Sequence, residues 1–278
     1  MGLKHSTGLG RCRMRPALVS RRRVPHNCTM RFENQVLFVS GGASGIGLAT
    51  AERVVAEGGR AAIVDLDLQR AEAAAARLPG CIGLAANVAD DAAVAAAVSA
   101  AVEQLGGIDL VLAAAGHAEF GPIAEWDTTR FNRMLEVHVG GTFNVCKHTL
   151  PLMKARGRGS IVTVASTAAF TANGNNVPYG AAKAAITGLT RQLCLEALPE
   201  VRVNCIAPGR TITGMTTPLM LDRGGDLEQG ERIFGQKVPM QRMGTAPELA
   251  SAICFFLSDD ASFITGQTLL VDGGETIS

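Results

Sequence analysis

The chain has 278 residues, 47% of them hydrophobic, and a formal net charge of +1. At this length and composition one large α/β domain fits better than two small ones. The near-neutral balance speaks against nucleic acid as a partner, and every apolar run is too short or too broken by Gly and charge for a membrane span.

Seven cysteines (Cys12, Cys28, Cys81, Cys146, Cys194, Cys205, Cys254) are dispersed without a Cys-x-x-Cys pair. His117, His138 and His148 have no metal-ligand spacing either. No metal site is expected, and the odd, scattered thiols point to a reducing, cytoplasmic setting.

Residues 1–31 form a compositional region of their own, with Lys4, seven arginines and no acidic residue. The region lacks an apolar stretch, which excludes a secretory signal; an organelle transit peptide or a nucleic-acid-binding tail remain open. The preferred reading is that Met30 is the natural start, directly ahead of the first strand; a functionless, disordered basic leader over 1–31 comes next.

From residue 35 the chain alternates. Gln35–Ser40 reads as a buried strand, followed by Gly41-Gly-Ala-Ser-Gly-Ile-Gly47 and a helix through Glu57 that Gly58 and Gly59 end. A strand over Ala61–Asp65 and an alanine-rich helix over Leu68–Leu78 come next. A short strand then ends at Asn87-Val88, and a helix runs from about Asp91 to Leu105. The strand Ile108–Ala113 precedes Ala114-Ala115-Gly116. One long helix is expected around Thr128–Lys154, then a β-branched strand over Ser160–Ser166, the helix that carries Tyr179, and a strand over Val201–Ile206. Residues 214–238 are polar and Gly-rich, a helix covers 247–257, and Thr268–Val271 closes the pattern. Strand and helix in alternation predict a single-domain, Rossmann-type doubly wound parallel sheet of about seven strands over 32–278.

The turn Gly41-x-x-x-Gly45-x-Gly47 lies between a strand and a helix, where a dinucleotide-binding turn belongs. Glycine lets backbone N–H groups approach a pyrophosphate, and the helix N-terminus adds partial positive charge. Gly41, Ser44, Gly45, Ile46 and Gly47 are therefore cofactor candidates. No Gly-Lys-Ser/Thr follows, which disfavours a nucleotide-hydrolysing loop. Asp65 ends the second strand 18 residues after Gly47, near the distance at which an acid meets the adenosine ribose. Its carboxylate accepts from a 2′-hydroxyl and repels a 2′-phosphate. Val64 and Leu66 bring no compensating cation, so NAD(H) is favoured over NADP(H).

Tyr179, the one tyrosine of the chain, stands four residues before Lys183. On a helix the two project to one side, and the ammonium would favour the phenolate and lower the phenol's pKa. Tyr179 is thus a candidate acid/base for a substrate hydroxyl.

Taken together, Gly41/Gly45/Gly47, Asp65, Ser166 placed 13 residues before Tyr179, Lys183, Pro208-Gly209 with Thr213, and Val271-Asp-Gly-Gly274 resemble the classical short-chain dehydrogenase/reductase family across 32–274. The resemblance implies that Tyr179 is the acid/base and that Lys183 binds the nicotinamide ribose and lowers the tyrosine pKa. It implies that Ser166 hydrogen-bonds the substrate oxygen, and that Ile212 and Thr213 hold the nicotinamide carboxamide. Asn87, where the family usually has Asp, would meet the adenine, and Val88, Ala114, Gly116, Pro208 and Gly209 would complete the cofactor cleft. A homotetramer built on helices such as 128–154 and 179–197 is the family expectation.

Two positions depart from the pattern. Ala113-Ala114-Ala115-Gly116 replaces the usual Asn-Asn-Ala-Gly, and His138 falls where an asparagine usually anchors a proton-relay water. Either the imidazole sustains the relay with altered pH dependence, the favoured reading, or the relay is broken and turnover is slow. Around the reacting centre, Phe170, Val177, Met215 and Leu219 make an apolar wall. Thr167, Asn173, Asn175 and Asn176 offer hydrogen bonds, and about 210–238 would act as a substrate lid.

The expected activity is NAD(H)-dependent hydride transfer involving a secondary alcohol or ketone. The stretch 169–174, with Val201-Arg-Val-Asn204, is somewhat similar to the cis-dihydrodiol dehydrogenases of aromatic-ring degradation, which makes a cyclic diol one candidate. The alternative is a catalytically weak NAD(H)-binding sensor or scaffold of the same fold. The epimerase/dehydratase relatives that share Tyr-x-x-x-Lys are disfavoured by the glycine spacing and the short C-terminal region.

Overall fold

The computed structural model describes residues 30–172 and 174–278; the basic leader up to residue 29 and Asn173 lie outside the described residues. Among the described residues, nine strands and nine helices follow in chain order, here with short single turns left unnumbered: β1 Val36–Ser40, α1 Gly45–Ala56, β2 Arg60–Asp65, α2 Leu68–Ala75, β3 Ile82–Ala85, α3 Asp91–Leu105, β4 Leu110–Ala113, α4 Thr128–Leu135, α5 Gly141–Ala155, β5 Gly159–Val164, α6 Val177–Ala197, β6 Val201–Pro208, β7 Thr211–Ile212, α7 Thr217–Gly224, α8 Leu227–Gly235, β8 Gly244–Thr245, α9 Ala246–Leu257 and β9 Thr268–Val271. Seven strands pair in the order β3-β2-β1-β4-β5-β6-β9, each neighbour parallel. The expected Rossmann-type sheet is what forms.

Both faces of that sheet are covered, which is why β1 (Val-Leu-Phe-Val-Ser) is buried at all five positions instead of alternating. One face packs Phe38, Val111 and Ile161 against Val94, Val98, Cys146 and Leu150 of α3 and α5. The other packs Leu37, Val39, Leu112 and Val162 against Val54, Leu249 and Ile253 of α1 and α9. Helix starts are marked by side chains that accept from first-turn N–H groups: Asp67 for α2, Asp90 for α3, Asp127 for α4, and a reciprocal Thr245–Glu248 box for α9.

The strand order reverses between β1 and β4, so the loops after these two strands diverge and open a crevice at the carboxyl end of the sheet. Two expectations change in detail. The helix over 128–154 is not continuous: one wide π-type turn, Glu136–Gly140, separates α4 from α5. Gly140 and Gly141 are weak helix formers, and Val88 packs so closely on Gly141 that a Cβ there would lie 2.5 Å from Val88 Cγ2. The Thr142 hydroxyl donates to the His138 carbonyl at 2.7 Å within that wide turn. The polar, Gly-rich 214–238 stretch is also ordered, as α7 and α8. They fold on each other around Gly225, whose φ of 78° needs no Cβ.

Candidate active site

The crevice holds two adjoining clefts that share Gly41, Asp65 and Gly116. Gly41, Ser44, Gly45, Ile46 and Gly47 floor the first. A Cβ on Gly47 would stand 2.3 Å from the Gly41 carbonyl oxygen, so the turn closes only with glycine there. Ser44 caps α1 without a side-chain bond, and no acidic residue occupies the first helical turn. Open N–H groups and a partial positive charge therefore face the cleft, a donor set that suits a diphosphate. Asp65 stands at the edge between the clefts, with Oδ2 accepting from Ala43 N at 3.3 Å. The second cleft takes Asn87, Val88, Ala86 and Leu66 on one side and His117, Arg133 and Val137 on the other.

The inner end of the first cleft is chemical. Ser166, at the end of the segment that leaves β5, accepts from Ala168 N through Oγ at 3.2 Å. Tyr179 and Lys183 reach it from the first turns of α6, and Pro208, Gly209 and Thr213 close it from β6 and β7. Lys183 is 5% exposed, and its Nζ donates to the Val164 carbonyl at 2.9 Å. Burial brings its pKa down to about 8. The Tyr179 phenol is pushed up from its ordinary value by burial, with a hydrogen bond to Ser166 acting the other way. This differs from the expected effect of the lysine. Lys183 Nζ stands 5.5 Å from the centre of the tyrosine ring, and desolvation dominates both groups.

The chain that builds this crevice is similar along most of its length to known proteins. The family model described as enoyl-(acyl carrier protein) reductase matches residues 41–276. The chain is 38% identical over 252 residues to 2-(S)-hydroxypropyl-CoM dehydrogenase 3 of Xanthobacter autotrophicus, covering 88% of this chain and 98% of that one. Levodione reductase of Leifsonia aquatica is 34% identical over 258 residues, covering 89% and 96%. The chain belongs to the short-chain dehydrogenase/reductase family. Among solved structures, levodione reductase superposes with a TM-score of 0.83 at 32% identity, covering 89% of this chain and 99% of that one. NAD+-bound xylitol dehydrogenase gives 0.81 at 32%, covering 87% and 99%.

His138 is a further titratable side chain beside Tyr179. It lies in the wide turn, fully buried, with its ring 5.5 Å from and nearly perpendicular to that of Tyr179. Nε2 is 2.8 Å from the His117 carbonyl, and Nδ1 is buried with no hydrogen-bond partner. Burial, with the nearby Lys183 charge adding to it, brings the imidazole pKa down to about 3. The ring is therefore neutral; Nε2 faces both the His117 carbonyl at 2.8 Å and the His117 N–H at 3.3 Å, and in the tautomer that donates to the carbonyl Nδ1 is left as an acceptor.

Of the residues expected at the site, Gly41, Ser44, Gly45, Ile46, Gly47, Asp65, Ala114, Gly116, Ser166, Tyr179, Lys183, Pro208, Gly209, Thr213 and Met215 line the first cleft, and Asn87 and Val88 the second. Ile212, Thr167 and Phe170 line neither, and Asn173 lies outside the described residues. Phe120 stands 6.2 Å from Tyr179, ring to ring. Phe120, Phe170, Val177 and Met215 are all about half exposed. Gly121 N donates to Asn175 O at 2.9 Å and so ties the loop after β4 to the loop before α6.

Sequence reading passed over Arg70, a full helical turn beyond Asp65, which also lines the first cleft. It also passed over Thr216, whose hydroxyl donates to Thr211 O and accepts from Thr213 N. Arg70 lay outside the immediate neighbours of Asp65, and the Thr213-x-x-Thr216 spacing was its only signal.

Proposed function

We propose that the protein is an NAD(H)-dependent oxidoreductase acting on a neutral secondary alcohol or its ketone, with Ser166, Tyr179 and Lys183 as catalytic residues. The observation that carries this reading is the single cleft that runs from the glycine turn and Asp65 to those three side chains. A nicotinamide held by the glycine turn, Asp65 and Lys183 would supply the hydride acceptor for a carbinol carbon or the hydride donor for a carbonyl carbon. Tyr179 Oη takes the hydroxyl proton in oxidation and returns one in reduction. Ser166 Oγ–H donates to the substrate oxygen and stabilises the charge that grows there. Lys183 would hold the nicotinamide-side ribose hydroxyls of a bound cofactor.

His138 serves as a neutral acceptor: its free Nδ1 can hold a water on the inner side of Tyr179, whereas an imidazolium carrier is incompatible with so low a pKa. Asp65 favours NAD(H) by holding the adenosine 2′-hydroxyl, although Arg70 in the same cleft softens the bias against a 2′-phosphate. Gly41, Ser44, Gly45, Ile46, Gly47, Asn87, Val88, Ala114, Gly116, Pro208, Gly209, Ile212 and Thr213 complete the cofactor site in this reading.

The half-exposed rim of Phe120, Phe170, Val177 and Met215 supports an apolar, ring-containing substrate, with Thr167 and Asn173 as polar contacts. Cis-4-hydroxycyclohexanecarboxylate dehydrogenase of Sinomonas cyclohexanicum, 36% identical over 251 residues, carries a cyclic alcohol in its name. The α7–α8 pair serves as the lid over this rim. The exposed Phe143 on α5 and Leu195 on α6 support a homotetramer, and the dispersed thiols support a cytoplasmic setting.

A fluorescence titration with NADH and NADPH, followed by a 340 nm screen of cyclic ketones and secondary alcohols, tests the reading. Tighter NADH binding with turnover of a cyclic ketone is expected. Preference for NADPH removes the role given to Asp65, and binding without any turnover removes the assignment as an enzyme.

A further inference from the structure

Arg210 lies outside the catalytic cleft, directly after Gly209, yet it joins three parts of the molecule. Its carbonyl accepts from Gly244 N at 2.9 Å, which anchors the short β7–β8 pair that carries Thr211 and Ile212. Its guanidinium sits 5.4 Å from the Phe234 ring on α8. Its Nε is 2.8 Å from Glu275 Oε1, and both side chains are largely buried, 23% and 17% exposed.

Glu275 is held in place by the turn that follows β9. Asp272 accepts from Gly274 N at 3.0 Å and from Thr276 N at 2.9 Å. Gly209 touches that turn: a Cβ on it would come 2.7 Å from Asp272 Cα and 3.3 Å from Glu275 Oε2. The carboxylate thus lies against the backbone of a cleft-lining residue. Neither Arg210 Nε nor Glu275 Oε2 has an aligned hydrogen-bond partner, although both are buried. The pair is a charge contact more than a directed bond, so the guanidinium can shift with α8 and still remain neutralised.

The α7–α8 hairpin packs mostly on itself. A Cβ on Gly224 would fall 2.2 Å from Gly230 N, so the two helices meet backbone to backbone. Side-chain ties from the hairpin to the sheet are correspondingly few, and Arg210–Phe234 is one of them.

We propose that Glu275 is a positioning residue: through Arg210 it sets both the 209–213 wall at the nicotinamide end of the cleft and the resting place of the α7–α8 hairpin. The inference rests on the reading of this cleft as the cofactor site for its kinetic consequence, but not for its structural one. Without the carboxylate, a largely buried guanidinium loses its counter-charge and must turn to solvent, releasing Phe234 and loosening the wall.

The test compares wild type, Glu275→Gln and Glu275→Asp by NADH titration and by hydrogen exchange over residues 211–236. In Glu275→Gln, NADH binding is expected to weaken about three- to tenfold, the scale of losing one partly buried ion pair. Exchange over 211–236 should quicken, while β1, β4 and β5 keep their protection. Glu275→Asp, which keeps the charge, should recover part of both changes. Unchanged exchange and NADH affinity in Glu275→Gln overturns the proposal, as does a loss of protection spread evenly over the sheet. Should Glu275→Gln fail to fold, Arg210→Gln removes the other half of the pair and is read by the same criteria. If the wild type itself binds no NADH, the cofactor reading fails, and the exchange comparison still decides the role of Glu275.

Discussion

A methyl group on Gly116 would stand 2.4 Å from Cε1 of His138 and 2.8 Å from its Nδ1. The glycine after β4 and the histidine of the wide turn therefore occupy one space, and each limits what the other can be. The histidine ring needs the room because it fills the gap behind Tyr179, against which it stands edge-on. Gly116→Ala should destabilise the wild type by about 1–3 kcal/mol, the usual range for overpacking a closed site. In a His138→Asn background the shorter side chain leaves space, and the same substitution should cost markedly less. Urea unfolding of the four proteins gives the coupling directly; additive effects would mean that the two residues do not share the space.

His138 also gives stability a pH dependence. Burial, reinforced by Lys183, brings its pKa from the ordinary 6.5 to about 3. The unfolded chain takes up this proton near pH 6.5, whereas the folded protein refuses it until about pH 3. Stability contributed by the neutral ring is therefore present above 6.5 and lost as the pH falls toward 3. His117, lowered mainly by burial, acts in the same direction. His138→Asn should flatten the acid limb of a plot of Tm against pH between 6.5 and 4, by up to a few kcal/mol at the acid end. Parallel curves for the two proteins would count against a neutral buried imidazole.

Tyr179→Phe removes the hydroxyl to which the proposed reaction assigns proton exchange with substrate. The ring, its contact with Phe120 and its packing against His138 are retained. A fall in kcat of about 10²–10⁴ is expected, with NADH affinity within about twofold of wild type. Retained turnover would move the acid/base role to another group.

Asp65 and Arg70 line the same cleft with opposite charges. Asp65→Asn removes the repulsion and leaves the cation, so NADPH binding should tighten by at least about tenfold relative to NADH. Asp65→Asn combined with Arg70→Gln should lose most of that gain. Paired titrations with the two cofactors settle it, and an unchanged ratio would place both side chains out of reach of the ribose.

Most of the sheet was legible because strands such as Val36–Ser40 and Leu110–Ala113 are near-continuous apolar runs, and helices such as α3 open on an N-capping aspartate, Asp90. The grouping of Ser166, Tyr179 and Lys183 in one cleft was legible because it is encoded locally: Tyr179 and Lys183 share one helix, and Ser166 follows the neighbouring strand by two residues. Contacts between distant segments were not. Nothing in the local sequence says that Gly116 makes room for His138, that Glu275 meets Arg210, or that Gly140-Gly141 widens a helix that otherwise reads as continuous. The phenol's pKa was misjudged for a related reason. The Tyr-x-x-x-Lys spacing shows the cation but not the burial, and burial dominates both residues.

Lys183 brings these strands of argument together in its own cost. It is buried and bonded to the Val164 carbonyl, and burial brings its pKa to about 8 instead of the ordinary 10.5. Below pH 8 folded and unfolded chains both carry the proton, and the folded chain bears the full penalty of a desolvated cation. Between 8 and 10.5 the folded protein releases the proton first, so this penalty shrinks as the pH rises through that window. Lys183→Met keeps the volume and removes the charge. It should raise Tm at pH 7 by a few degrees, on the order of 1–3 kcal/mol, while abolishing turnover. The gain should fade by pH 10. A variant that is less stable at pH 7 would show that the Val164 hydrogen bond outweighs desolvation, and that the lysine is held here for structure as much as for chemistry.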